Sequence, residues 1–129
     1  MIVAIKVSST EFARKYFKTG QQYDNEVKWN KAIGEKESDA RAKFVIKMFN
    51  CGHDDVKSSW YFDMELAEKA LFDVGMDKYG ELTGCPELNT TVKVEALFTD
   101  LLDGLDFLHS SVGMLHNDIK PENILLKKD

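Results

Sequence analysis

The sequence predicts an α+β chain, and three features predict it. The N-terminus alternates apolar residues at strand spacing, two apolar or aromatic runs of strand length lie near the middle, and one long segment toward the C-terminal end repeats its apolar residues at helical spacing. With 129 residues, 43% hydrophobic and 30% charged, the chain has the composition of a folded domain with a buried core. Its net charge of -5 supplies no basic field for nucleic acid or an anionic membrane surface, so neither is expected as a partner. An anionic ligand would have to bring its own cation. Cys51 and Cys85 are too few for a zinc set and, without a secretory signal, read as reduced structural thiols. No apolar run reaches the length of a membrane span, and Met1 to Val7 lacks the length and basic start of a signal peptide. A cytoplasmic location is expected, with the nucleus as the alternative.

Taken in order, Met1 to Val7 places Val3, Ile5 and Val7 on one face and Ile2, Ala4 and Lys6 on the other, a strand apolar on both sides except for one lysine. Ser8-Ser9-Thr10-Glu11 has the form of a capping box, predicting a short helix that ends near Gly20. A second helix is predicted from Gln21 to Ile33, before Gly34. There Tyr23, Val27, Asn30 and Ile33 form one face, and Glu26 falls between them, where a carboxylate needs a partner unless the face is only loosely amphipathic and solvated. Glu35 to Arg41 reads as an exposed loop. Phe44-Val45-Ile46 with Met48 and Phe49 reads as a strand that turns at Asn50-Cys51-Gly52. Asp54 to Ser59 is turn-like, and Trp60 to Ala67 resumes strand character.

Leu71-Phe72-Asp73 predicts a helical turn, and Gly75 to Asn89 an irregular connection. Thr90 or Thr91 can cap the next helix, where Val94, Leu97, Phe98, Leu101, Leu102, Leu105 and Leu108 recur at spacings of three and four. His109 reads as a residue of the helix C-terminus. The chain then reaches His116-Asn117-Asp118-Ile119-Lys120-Pro121-Glu122-Asn123, followed by the apolar Ile124-Leu125-Leu126. Pro121 stiffens a polar turn that runs straight into a strand.

This last stretch resembles the catalytic loop of eukaryotic-type protein kinases, whose signature His-Arg-Asp is followed, after four residues, by Asn. The Lys-Pro-Glu-Asn order resembles the serine/threonine branch. Phosphoryl transfer needs little covalent help from the protein, so such a loop has to place one carboxylate beside the attacking hydroxyl and one neutral oxygen on a magnesium ion. The resemblance implies Asp118 as catalytic base, Asn123 as metal ligand and Lys120 as a cation beside the transferred phosphate. His116 is implied to be structural. It further implies that Val3-Ala4-Ile5-Lys6 is the strand whose lysine holds the ATP phosphates, with Ala4 against adenine and Glu26 as the helix partner of Lys6. Met64 would then be the gatekeeper, with the Glu65 carbonyl and the Ala67 amide facing adenine, unless Trp60 to Ala67 is only an aromatic strand end.

On this reading the fold is a partial two-lobed kinase-like one. Residues 1–64 are part of the small lobe with its helix, 65–69 the hinge, and 70–129 the start of the helical large lobe as far as the catalytic loop. ATP, Mg2+ and a protein substrate are the implied ligands. No Gly-rich loop precedes Val3 and no Asp-Phe-Gly follows Leu126, so the 129 residues alone are expected to bind nucleotide poorly and to turn over little. Asn117 stands where the family has Arg; without that charge, activity is expected to depend less on phosphorylation of the activation loop. The competing reading is a non-catalytic, kinase-like protein that binds a kinase or its substrate as a decoy.

Overall fold

The computed structural model describes residues 2–7, 10–76, 82–83, 88 and 90–127; the side chains of Ala4 and Lys6, like Ser8, Ser9 and Cys85, lie outside the described part. The chain divides into two compact units, Met1–Leu66 and Ala67–Asp129.

The first unit is a four-stranded antiparallel sheet with one helix. Strands β1 (Ile2–Val7), β2 (Thr10–Phe17), β3 (Met48–Asp54) and β4 (Ser59–Glu65) take the order β1-β2-β4-β3. The second strand corrects the expectation of a helix opened by a capping box at residues 8–11. From Phe12 onward the chain has period two: Ala13 and Phe17 are buried on one face, while Arg14 and Tyr16 hydrogen-bond to acidic residues on the other. A central position between β1 and β4 pairs both edges of the strand, which outweighs a local capping signal.

Helix α1 (Gly20–Gly34) matches the predicted helix closely, and Thr19 caps it by accepting a hydrogen bond from the Gln22 amide at 3.2 Å. It packs on β2 and β4. Tyr23 stacks on Trp60 with 4.9 Å between ring centroids and meets Phe17 edge-on at 5.7 Å. Beneath them Ala13, Phe17, Phe62 and Met64 form the buried core, flanked by Ile46, Met48 and Cys51.

The strand expected at residues 44–49 begins later. Ala40–Phe44 is instead a 3-10 helix, capped by the Asp39 carboxylate, which accepts from the Arg41 amide at 2.9 Å and ion-pairs with its guanidinium at 2.7 Å. Asn50-Cys51-Gly52, expected as a turn, lies within β3, opposite Asp63, Phe62 and Tyr61. A register shift between Met48 and Asn50 accompanies a Phe49 that is 54% exposed. Gly52 lies close under Tyr61: a Cβ there would stand 3.1 Å from the Tyr61 hydroxyl, so the ring would have to shift to admit one. The turn itself falls at residues 55–58. Asp54 organises it by accepting from the amides of Val56 and Lys57 and from the Tyr16 hydroxyl, and these bonds, that of Lys57 foremost, lower its pKa.

On the sheet face away from the core, Arg14 clamps Asp63 with two bonds of 2.6 and 2.9 Å, and its guanidinium lies 3.8 Å from the centre of the Tyr61 ring. The bond to Asp63 raises the Arg14 pKa further above its already high ordinary value. Asp63 is only 5% exposed, so Arg14→Met strands a buried carboxylate. The expected loss is about 2–3 kcal/mol, read as a lower urea midpoint at unchanged slope.

The Tyr23 phenol, hydrogen-bonded to the Cys51 thiol and partly buried, is pushed up from 10.0 to about 12. Folding therefore favours the neutral phenol. Its contribution is complete below pH 10, the value of the free phenol, and is lost as pH rises through about 12. Cys51→Ala is expected to bring the Tyr23 titration back toward the ordinary value, measured by phenolate absorbance, and to flatten the alkaline loss of stability.

In the second unit, α2 (Thr91–Asp106) occupies the predicted helix, and the Thr90 hydroxyl accepts from the Lys93 amide at 3.3 Å. It continues as a π-helical turn, Phe107–Val112, that includes His109 and is closed by Gly113 in a left-handed conformation. Phe107, with no exposed surface, and Leu108 anchor that turn. Leu71–Asp73 is a 3-10 turn, as its sequence predicts. In the stretch expected to be irregular, Gly75–Met76 pairs with Leu82–Thr83, while residues 77–81, 84–87 and 89 lie outside the described part. With β5 (Lys69–Ala70), β6 (Gly75–Met76) and β7 (Leu82–Thr83) assigned, the last strand is β8 (Leu125–Leu126), antiparallel to β5. Among the described residues, no helix is long and apolar enough to cross a membrane.

Candidate functional site

Each unit carries its own group of candidate residues. In the second unit the group is built around Asp118. Lys120 ends the extended approach and Pro121 opens a one-turn 3-10 helix, Pro121–Asn123, a place where its missing N–H costs nothing. The Asn123 amide donates to the Lys120 carbonyl at 2.9 Å and closes the turn. This brings the Asn123 side-chain nitrogen to 2.9 Å from the Asp118 carbonyl and 3.0 Å from its Oδ2. Lys120 Nζ stands 3.5 Å from the same Oδ2, and the Asp118 amide donates to His116 Nδ1 at 3.2 Å. The loop is tied down from behind: the Leu71 amide bonds to the Ile124 carbonyl at 2.8 Å and the Glu68 amide to the Leu126 carbonyl at 2.9 Å.

Asp118, Lys120 and Asn123, which the resemblance implies, thus come together. The Asp118 side chain is 64% exposed and that of Lys120 49%, so their ion pair adds little stability. What the convergence offers chemically is an exposed carboxylate with a cation beside it. The Asn123 nitrogen is taken by Asp118, which leaves its carbonyl oxygen as a neutral ligand of the kind a hard cation accepts. That donor suits Mg2+ in a site completed by substrate phosphates. No group of three or more His, Cys, Asp or Glu side chains comes together among the described residues.

In the first unit the structure gives Glu26 a different partner from the one the strand pattern suggested. Lys15 Nζ reaches Glu26 Oε1 at 2.5 Å, with Phe17 and Phe62 beside it at 5.0 and 5.6 Å from their ring centres. The reason is topological. Helix α1 packs on β2 and β4, and Lys15 is on β2. Lys6 lies on the outer strand β1 opposite Glu11, four residues along from Lys15, or about 13 Å at strand rise. Glu26 is thus paired with Lys15, while the side chain of Lys6, its expected partner, lies outside the described residues. Ala4 likewise stands opposite Ala13, and Ala13, not Ala4, is the strand partner of Met64 in the buried core. A signal for Lys15 was present: Phe12-Ala13-Arg14-Lys15 repeats the apolar-Ala-x-Lys pattern and stands directly before the helix.

Glu65 closes this strand, with its amide donating to the Lys47 carbonyl and its carboxylate accepting from the Lys47 amide, both at 2.9 Å. Ala67 opens the second unit.

An antiparallel sheet with a strand lysine paired to the helix that follows it, and further along an Asp-x-Lys-x-x-Asn loop, agree with the resemblance that the sequence carries. The chain belongs to the protein kinase domain family, whose family model matches residues 1–129. Among similar proteins are serine/threonine-protein kinase PKH2 of Saccharomyces cerevisiae, 40% identical over 82 residues, 64% of this chain and 7% of that protein. Cyclin-dependent kinase E-1 of Arabidopsis thaliana is 35% identical over 88 residues, covering 66% and 17% of the two chains. Serine/threonine-protein kinase STK11 of Homo sapiens is 36% identical over 87 residues, covering 67% and 18%. The chain spans only 7–18% of the length of these three relatives.

Proposed function

We propose that this chain carries out part of ATP-dependent phosphoryl transfer to serine or threonine hydroxyls of a protein substrate. The observation that carries the proposal is the convergence of Lys120 and Asn123 on Asp118 Oδ2, at 3.5 and 3.0 Å. Asp118 accepts the proton of the attacking hydroxyl, and Lys120 offsets charge on the transferred phosphate. The Asn123 carbonyl would hold Mg2+, which when bound supplies neutralisation of the phosphate oxygens. In the other unit, Lys15 takes the role that the strand pattern gave to Lys6, holding the ATP phosphates, with Glu26 fixing its ammonium. A half-exposed pair of this kind contributes only about 0–1 kcal/mol, which supports a task in orientation over one in stability. Ala13 takes the place proposed for Ala4 against adenine, Met64 that of gatekeeper, and the backbone of Glu65 and Ala67 that of the adenine partner.

The test is transfer of labelled γ-phosphate from MgATP to a mixture of serine- and threonine-containing peptides by the protein bearing this chain. Phosphoserine or phosphothreonine is expected; incorporation into tyrosine alone would contradict the branch assignment, and none at all would contradict the activity. One observation favours the decoy reading: Phe98 and Leu102 on α2 are 57% and 63% exposed, an apolar surface suited to a protein partner. Retained partner binding by a protein without turnover would support it.

A further inference from the structure

We infer that Asn117 is a positioning residue for Asp118, acting through its backbone and not through its side chain. Among the described residues only Ser58 and Asn117 are non-glycine residues with positive φ, and Asn117 lies at 57°. That left-handed conformation crowds the Cβ of most L-residues, and Asn is among the few that adopt it readily. The reversal has a visible result. It turns the Asp118 amide back onto the ring of the residue before Asn117, so that the amide donates to His116 Nδ1 at 3.2 Å. Asp118 is then held at both ends, its amide by His116 and its carbonyl and Oδ2 by Asn123 at 2.9 and 3.0 Å. The Asn117 side chain is exposed and is shown with no hydrogen bond among the described residues, so nothing but its backbone links it to this arrangement.

A carboxylate that is otherwise largely exposed gains a fixed direction in this way. The loop achieves by conformational preference at Asn117 what it could not achieve by burial. This rests on the proposed role of Asp118 in its consequence for turnover, but not in its consequence for loop geometry, and the two are separable by experiment.

The experiment compares Asn117→Gly, Asn117→Ala and Asn117→Val in two readouts. The first is amide hydrogen exchange at Asp118 by NMR. Glycine, free at positive φ, is expected to keep the protection within about twofold, and valine to lose about tenfold, with alanine between them. The second is steady-state phosphoryl transfer, in which valine is expected to lower kcat about tenfold with KM for ATP unchanged, and glycine to restore it. Two results would overturn the inference: glycine losing as much protection as valine, which would make the side chain responsible, or valine keeping the wild-type protection. If the wild-type protein shows no turnover, the exchange order alone decides: Gly above Ala above Val upholds the positioning role while the proposed activity fails, and any other order overturns it.

Discussion

Lys15→Met is expected to lower kcat/KM for phosphoryl transfer by about 10²–10³-fold, the range for removing one preorganised cation or donor from developing charge. Lys6→Met is expected to leave it within about threefold, since Lys6 stands on the outer strand opposite Glu11, four residues along the register from Lys15. The contrast follows from the sheet. Two strands in succession each carry an Ala-x-Lys sequence; α1 packs on β2, and the lysine of β2 meets Glu26. Glu26→Gln should cost less, about tenfold, because it removes the orienting charge and leaves the ammonium in place. Thermal unfolding should barely move in either Lys15 or Glu26 variant, given how little a half-exposed pair stabilises. A dead Lys6 variant beside an active Lys15 variant would return the role to β1.

Asp118→Asn is expected to reduce kcat by about 10²–10⁴-fold with KM for ATP little changed, the contribution typical of a positioned general base. The substitution is nearly isosteric. It removes the acceptor for the hydroxyl proton and the charge facing Lys120, but the backbone carbonyl bond from Asn123 and the amide bond to His116 remain, so the loop should keep its shape. Asn123→Ala tests the neighbouring role differently. It should raise the Mg2+ concentration needed for half-maximal rate, and it should also loosen Asp118, because the same side chain holds both its carbonyl and its Oδ2. An Asp118→Asn protein with wild-type kcat would leave the loop as a fold element only.

What was legible in the sequence and what was not separate along a physical line. The long helix was readable because Val94 to Leu108 repeats at one period over four turns, and no competing signal interrupts it. The proximity of Asp118, Lys120 and Asn123 was readable because they meet through contacts no more than five residues apart, so spacing nearly determines geometry. Strand β2 was not. Ser8-Ser9-Thr10-Glu11 carries a local helix-start pattern, and what overrides it is nonlocal: pairing with β4 fifty residues away and the Arg14–Asp63 clamp. Strand β3 was misplaced for the same reason, since its register is set by Phe62 and Tyr61 across the sheet and not by its own turn-like Asn50-Cys51-Gly52. The apolar-Ala-x-Lys pattern fits two successive strands, and the contact of Lys15 on the second with Glu26 on the helix is not written in either four-residue motif.

The most direct measurement is labelling with an acyl-phosphate derivative of ATP, which transfers its acyl group to lysines that lie beside bound phosphates, followed by peptide mass spectrometry. The account predicts ATP-competable acylation at Lys15, with Lys120 as a second site and Lys6 unmodified. Labelling at Lys6 in place of Lys15, or labelling that excess MgATP does not suppress, would contradict it.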